Sequence, residues 1–266
     1  MSGRAVRLLA LAATVAALAL PAAGCKTTVD EITGSVAEPR APSTEAEWRG
    51  ALETYGNRYR ANPSDAKAAI AYAKALRATD QRAQAVAVLQ QASIRNPHDT
   101  AVLGAYGRAL ADAGQYTEAL DALSRAHSPD NPDWRILNAQ GAVLDEMGRH
   151  AEAQRHYATV LKMVPNEPSV LSNLGLSYAL SKNLRKAEAT LRRAAAQPGA
   201  EPKVRQNLAL VIGLQGRFQE AETVAKGDLS PDEAAANVAY LRQMLAQQSD
   251  WKKSKRGSPL VPTTGS

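Results

Sequence analysis

The chain has 266 residues, a formal charge of +6, a single cysteine and only 5% aromatic residues. That length allows one or two domains, and one cysteine excludes a disulfide within the chain. An alanine-rich, aromatic-poor composition suits close-packed helices better than sheets.

At the N-terminus, Arg4 and Arg7 precede an apolar run from Leu8 to Leu20 that only Thr14 interrupts. Pro21 breaks the run, and Ala22, Ala23 and Gly24 lead to Cys25. This is the three-part layout of a secretory signal peptide. The run is shorter than the roughly 20 residues a membrane span needs. Small residues followed by cysteine resemble the lipobox of bacterial lipoproteins. The resemblance implies a signal peptide over 1–24, cleavage before Cys25, and a thioether-linked diacylglycerol on that cysteine. The place three residues earlier, leucine in the common lipobox, is Ala22 here. The other reading is an ordinary secreted, soluble periplasmic protein in which Cys25 is incidental. Lys26, set against the enterobacterial sorting rule, implies the periplasmic face of the outer membrane. Cleavage would remove Arg4 and Arg7 and no acid, leaving a mild positive excess. For an exported chain that excess suits anionic lipid or an acidic partner segment, and no nucleic acid is expected.

Residues 25–43 lack helical periodicity and read as a lipidated, flexible tether. Thr44 followed by Glu47 matches a capping box, which opens a half repeat over 44–65. From Ala66 the chain repeats. Ala66, Thr100, Trp134, Pro168 and Pro202 open units 34 residues apart, without insertion. The eighth place of each unit is Ala73, Gly107, Gly141, Gly175 and Ala209. The twentieth is Ala85, Ala119, Ala153, Ala187 and Ala221. Leu76, Leu110, Leu144, Tyr178 and Ile212 hold the eleventh. Gly114, Gly148 and Gly216 fall midway, where a first helix must stop, and prolines mark the unit ends. Two antiparallel helices cross closely only where side chains are small, and the eighth and twentieth places permit that approach. This period resembles the tetratricopeptide (TPR) family. The resemblance implies an all-α, right-handed superhelix of about five repeats: 66–99, 100–133, 134–167, 168–201 and 202–230. The last unit departs from the pattern at Arg205 and Asp228. Ser230 and Pro231 then open a capping helix over 231–248. The TPR domain thus spans 44–248, and 249–266 reads as a basic disordered tail.

The residues show no catalytic set. His98 and His127 fall in turns between repeats, and His150 and His156 are six apart on different helix sides. There is no HExxH, Walker loop or GxSxG, so neither enzyme activity, a metal nor a cofactor is expected. Function is expected in the groove. By family resemblance, the second, fifth, sixth, ninth, twelfth and thirteenth places of each first helix face inward. These place Lys67, Lys74, Arg77, Arg108 and Arg135 at a basic end, then Asn138, Asn173, Leu176 and Asn207, with Leu180, Leu210 and Leu214. Bases would attract a carboxylate or acidic segment, and asparagine can hold an extended backbone. The alternatives are that the bases form a solvated face, that the leucines pack between repeats, and that Asn173 and Asn207 are structural.

The whole arrangement, with Asn237-Val238-Ala239-Tyr240-Leu241-Arg242 before a basic tail, resembles the TadD group of tight-adherence (Tad, or Flp) pilus assembly lipoproteins. That resemblance implies a scaffold supporting the pilus machine through its outer-membrane secretin. A pilotin-like or cell-wall scaffold of another envelope complex is the alternative within the class. An accessory regulator of a periplasmic hydrolase is the alternative outside it.

Overall fold

The computed structural model describes Pro42 and residues 44–257, with side chains described as far as residue 247. The expected signal peptide, Cys25 and nearly all of the tether lie outside the described residues. The described chain is helical throughout: α1 (Glu45–Ala61), α2 (Ala66–Ala78), α3 (Arg82–Arg95), α4 (Thr100–Asp112), α5 (Tyr116–Ser124), α6 (Trp134–Glu146), α7 (His150–Met163), α8 (Pro168–Leu180), α9 (Leu184–Ala195), α10 (Pro202–Leu214), α11 (Phe218–Ala225) and α12 (Pro231–Gly257). Among the described residues no strand forms; one isolated bridge joins Ser128 and Asn131 in the loop between α5 and α6.

Each repeat starts and stops by local chemistry. The Thr44 and Glu47 side chains make the reciprocal capping box at α1. Asp65, Asp99 and Asp133 close the preceding units and cap α2, α4 and α6, accepting from the amides of Lys67, Ala101 and Arg135 at 2.9, 2.9 and 2.7 Å. The first helices all stop at the fifteenth place. Asp80, Gly114, Gly148, Lys182 and Gly216 there adopt φ between 60 and 82°. The next amide bonds back to the eleventh-place carbonyl, as from Gln81 to Leu76 and from Arg149 to Leu144, both at 2.8 Å. This is the 6→1 bond of a Schellman stop, which needs a left-handed residue.

Packing within a repeat centres on the small residues. The five alanines at the twentieth place have no exposed surface. The glycines at the eighth place do more than let backbones approach. A Cβ on Gly107, Gly141 or Gly175 would lie 2.6 Å from Leu123, Tyr157 or Leu191 respectively. Each glycine is therefore a socket for a large side chain at the twenty-fourth place. The departures in the last repeat compensate one another. Leu103 with Ala126, and Leu171 with Ala194, share core clusters at the fourth and twenty-seventh places. Arg205 and Asp228 occupy those places in the fifth unit and form a two-pronged ion pair.

Among the described residues, helices touch only their sequence neighbours and, for α2, α4, α6, α8, α10 and α12, the next member of that series, and the second helices α3, α5, α7, α9 and α11 do not meet one another. The first helices therefore form the inner face of the stack. The Ser230–Glu233 capping box opens α12, whose Leu241 reaches into the space over Gly213. The expected end of this helix was 248, with a disordered tail after it; the helical backbone instead runs to Gly257. No proline or glycine lies between Pro231 and Gly257 to stop it.

Candidate functional site: a mixed-charge groove on the inner face

A groove of about 790 Å³ opens along the first helices, and Arg77, Arg108, Arg135 and Asn138 line it. Three bases, one from each of α2, α4 and α6, converge because the first helices of stacked repeats lie side by side, although the bases hold the twelfth, ninth and second places. Lys203 from α10 and Arg82 from α3 add to the lining.

The groove is not uniformly basic. Asp112 and Glu146, both at the thirteenth place, also line it. Asp112 pairs with Arg77, and its carbonyl accepts from Arg82 at 3.2 Å. The Tyr116 hydroxyl donates to Glu146 at 3.5 Å. Arg108 is different: it is half-buried and makes no ion pair or hydrogen bond among the described residues. Its guanidinium lies beside Gly104, where an added Cβ would come within 3.7 Å of it. Burial, and then the like charge of Arg77, push Arg108 below the ordinary arginine value, with Asp133 and Asp112 pulling the other way. Arg135 is exposed and stacks on Trp134, 4.5 Å from the ring centre.

The remaining expected groove residues sit elsewhere. Lys67 is exposed in the first turn of α2, and the Lys74 ammonium stands 5.3 Å from the Trp48 ring centre. Neither lines the groove with Arg108. Asn173 donates to Asn138 at 3.1 Å, and Asn207 donates to Ser172 Oγ at 3.0 Å. In both, the sixth place of one repeat bonds the fifth place of the repeat before it. These asparagines tie repeats together, while Leu176 is half-buried on α8.

A second polar cluster escaped the sequence reading. The Asp145 carboxylate, 9% exposed, accepts from Tyr157 at 3.0 Å and Ser177 at 2.7 Å, with His150 Nδ1 at 2.8 Å. Burial, with the Asp145 charge behind it, raises the Tyr157 phenol well above its ordinary value. The twelfth place in the next two repeats is Ala179 and Gly213. An acid at a place given to alanine or glycine in three of the other four repeats was the available signal. Among the described residues, no group of three or more histidine, cysteine, aspartate or glutamate side chains could hold a metal ion. No described helix is long and apolar enough to cross a membrane.

Comparisons with known proteins agree with this repeat frame. Residues 47–126 match the family model described as anaphase-promoting complex, cyclosome, subunit 3, and residues 138–201 match a tetratricopeptide repeat model. No curated protein sequence matches the chain. Among solved structures, a tetratricopeptide repeat protein from Parabacteroides merdae is similar at a TM-score of 0.65 and 12% identity, over 74% of this chain and 78% of that one. PilW, a widely conserved type IV pilus biogenesis factor, is similar at 0.61 and 16%, over 73% of this chain and 91% of that one. Human IFIT1, in its dimer with m7Gppp-AAAA, is similar at 0.60 and 15%, over 80% of this chain and 52% of that one. With five 34-residue helix pairs in register and a repeat-model match over residues 138–201, the chain has an all-α tetratricopeptide-repeat fold.

Proposed function

We propose that this chain is a membrane-anchored periplasmic scaffold that holds a protein segment on the inner face of its repeats and supports assembly of a Tad/Flp-type pilus machine, through the outer-membrane secretin. Arg108 carries the binding part of this reading. A half-buried guanidinium with no carboxylate of its own is an incomplete pair, and an acidic side chain or C-terminal carboxylate would complete it. Arg135 and Lys203 raise the local potential for the same ligand, while Asp112 and Glu146 select against a segment acidic at every position. The pilus assignment draws support from the Cys25 context, the Asn237–Arg242 stretch and a fold like that of PilW. At 16% identity, that likeness is one of fold.

The test is binding of the secretin's periplasmic domain to an Arg108→Glu, Arg135→Glu double variant, by calorimetry at low salt. Affinity should fall at least about tenfold, because both charges change sign in a confined groove. Unchanged affinity in a folded double variant overturns the basic-groove reading. The anchor is tested separately. Cys25→Ser should abolish palmitate labelling, and unchanged labelling refutes acylation at that residue.

A further inference from the structure

On α4 and α6 the groove is lined from the ninth and thirteenth places: Arg108 and Asp112, then Ala142 and Glu146. Those two places, one helical turn apart, therefore face the groove. On α8 they hold Leu176 and Leu180, and on α10 Leu210 and Leu214. Packing between repeats does not account for these leucines. Leu180 is 56% exposed and Leu210 is 42% exposed, while Leu176 and Leu214 are half-buried. Helix α12 continues the frame: it touches α10, and Val238, 34 residues after the buried Val204, is buried too. Met244, 34 residues after Leu210, is 50% exposed. From α4 to α12 the ninth-place row thus reads Arg108, Ala142, Leu176, Leu210, Met244. It begins with a charge, passes a small residue and ends in apolar side chains.

We infer that the inner face reads a two-part signal: one extended segment of a partner protein, with a carboxylate for Arg108 and apolar side chains further along for the leucines of α8 and α10. This rests on the reading of the groove as a carboxylate site and adds the second half of the ligand. The charged and apolar stretches are consecutive parts of one face, so a segment that starts at Arg108 and crosses the first helices covers both. Glu146, at the thirteenth place between them, repels a second acid there and confines the carboxylate to the Arg108 end. Exposed leucines on the same face gain by apolar cover that the carboxylate alone does not supply. Packed helices stand about 8–10 Å apart. The α8 leucines are then roughly 20 Å from Arg108 and those of α10 roughly 30 Å, which an extended chain spans in about six and about nine residues. The acid and the apolar anchors should be separated by those spacings.

The experiment pans the full chain, carrying Cys25→Ser, against a phage-displayed library of random peptides long enough to span both stretches. Enriched sequences should carry Asp or Glu with Leu, Ile, Met or Phe about six and about nine residues away. The most enriched sequence, made as a synthetic peptide, is then titrated against variants. Leu180→Ser with Leu210→Ser should weaken it at least about tenfold, at low and high salt alike, and Leu180→Met with Leu210→Met should restore most of the affinity. Arg108→Glu should also weaken it at least about tenfold, with the loss shrinking at about 0.5 M salt. Circular dichroism and the thermal midpoint check that each variant folds; the leucines chosen are exposed, so their replacement leaves the core intact. Enriched peptides with acids and no apolar preference overturn the two-part signal and leave the carboxylate site standing. Apolar preference without acids, or no enrichment over an unrelated protein, overturns both. A parent that sediments as a dimer, and becomes a monomer on Leu180→Ser with Leu210→Ser, overturns the inference because a second copy then covers the leucines.

Discussion

At the fifteenth place of each repeat, one residue must adopt a positive φ, and that requirement separates the repeats. Gly114, Gly148 and Gly216 meet it without a Cβ, whereas Asp80 at 60° and Lys182 at 64° meet it with one. Left-handed backbone costs a residue with a side chain about 1 kcal/mol or more. Aspartate recovers part of that through local hydrogen bonding, and lysine has no such recourse. Lys182→Gly should therefore stabilise the protein by about 0.5–1 kcal/mol after the larger entropy of the unfolded glycine is set against it. A rise in thermal midpoint checks this, and Gly148→Ala should move it the other way. The glycines were legible as stops in the sequence, but Asp80 and Lys182 were not, because nothing in their side chains announces a left-handed turn. Only the bond from the sixteenth-place amide to the eleventh-place carbonyl requires it.

Between helices of one pair, the socket at the eighth place decides stability. Gly141 faces Tyr157, whose hydroxyl also serves Asp145. Gly141→Ala should cost about 1–3 kcal/mol, since a Cβ 2.6 Å from the ring must displace it and strain that buried bond. In the fifth repeat the corresponding residues are Ala209 and Ala225, both buried, so an alanine pair is an acceptable solution to the same space. Gly141→Ala should consequently cost far less when Tyr157 is already alanine. Chemical denaturation of the four members of that cycle measures the coupling, and additive losses would show that the socket is not the cause. Ala153→Leu belongs to the same crossing and should lose a similar amount. The sequence showed small residues at two places. It did not show that the large partner of the eighth place is the twenty-fourth, because that depends on how the two helices are rotated against each other.

Across the whole molecule, each repeat meets only its neighbours, so cohesion rests on a series of similar junctions. The junction of the fourth and fifth repeats is ionic. Glu188 accepts from Arg192 at 2.8 Å, Gln215 at 2.8 Å and Arg217 at 2.6 Å, and both arginines also hold Glu220. Burial would raise the Glu188 carboxyl, but the bonds from Gln215, Arg192 and Arg217 outweigh it and hold the pKa to about 2, below its ordinary 4.5. A depressed carboxylate stabilises the fold fully above its unfolded value and loses that contribution as pH falls towards the folded value. Thermal stability should therefore decline between about pH 4.5 and 2, and Glu188→Gln should flatten the decline. Equal slopes in melting scans of parent and variant would remove Glu188 from the account.

The sequence by itself determined the repeat frame, the starts of the first helices and the glycine stops at the fifteenth place. Those features depend on contacts within a few residues or on a period that repetition makes visible. Tertiary structure decided which bases remain available. Arg77 and Asp112 are 35 residues apart and neutralise one another, Lys74 is taken up by Trp48, and Asn173 and Asn207 are spent between repeats. It also matched Arg205 to Asp228, turning two apparent defects into one pair. A charge is free or paired according to which side chains stacking brings within a few ångströms. Stacking is set by helix rotation and crossing, which the order of residues along the chain does not display.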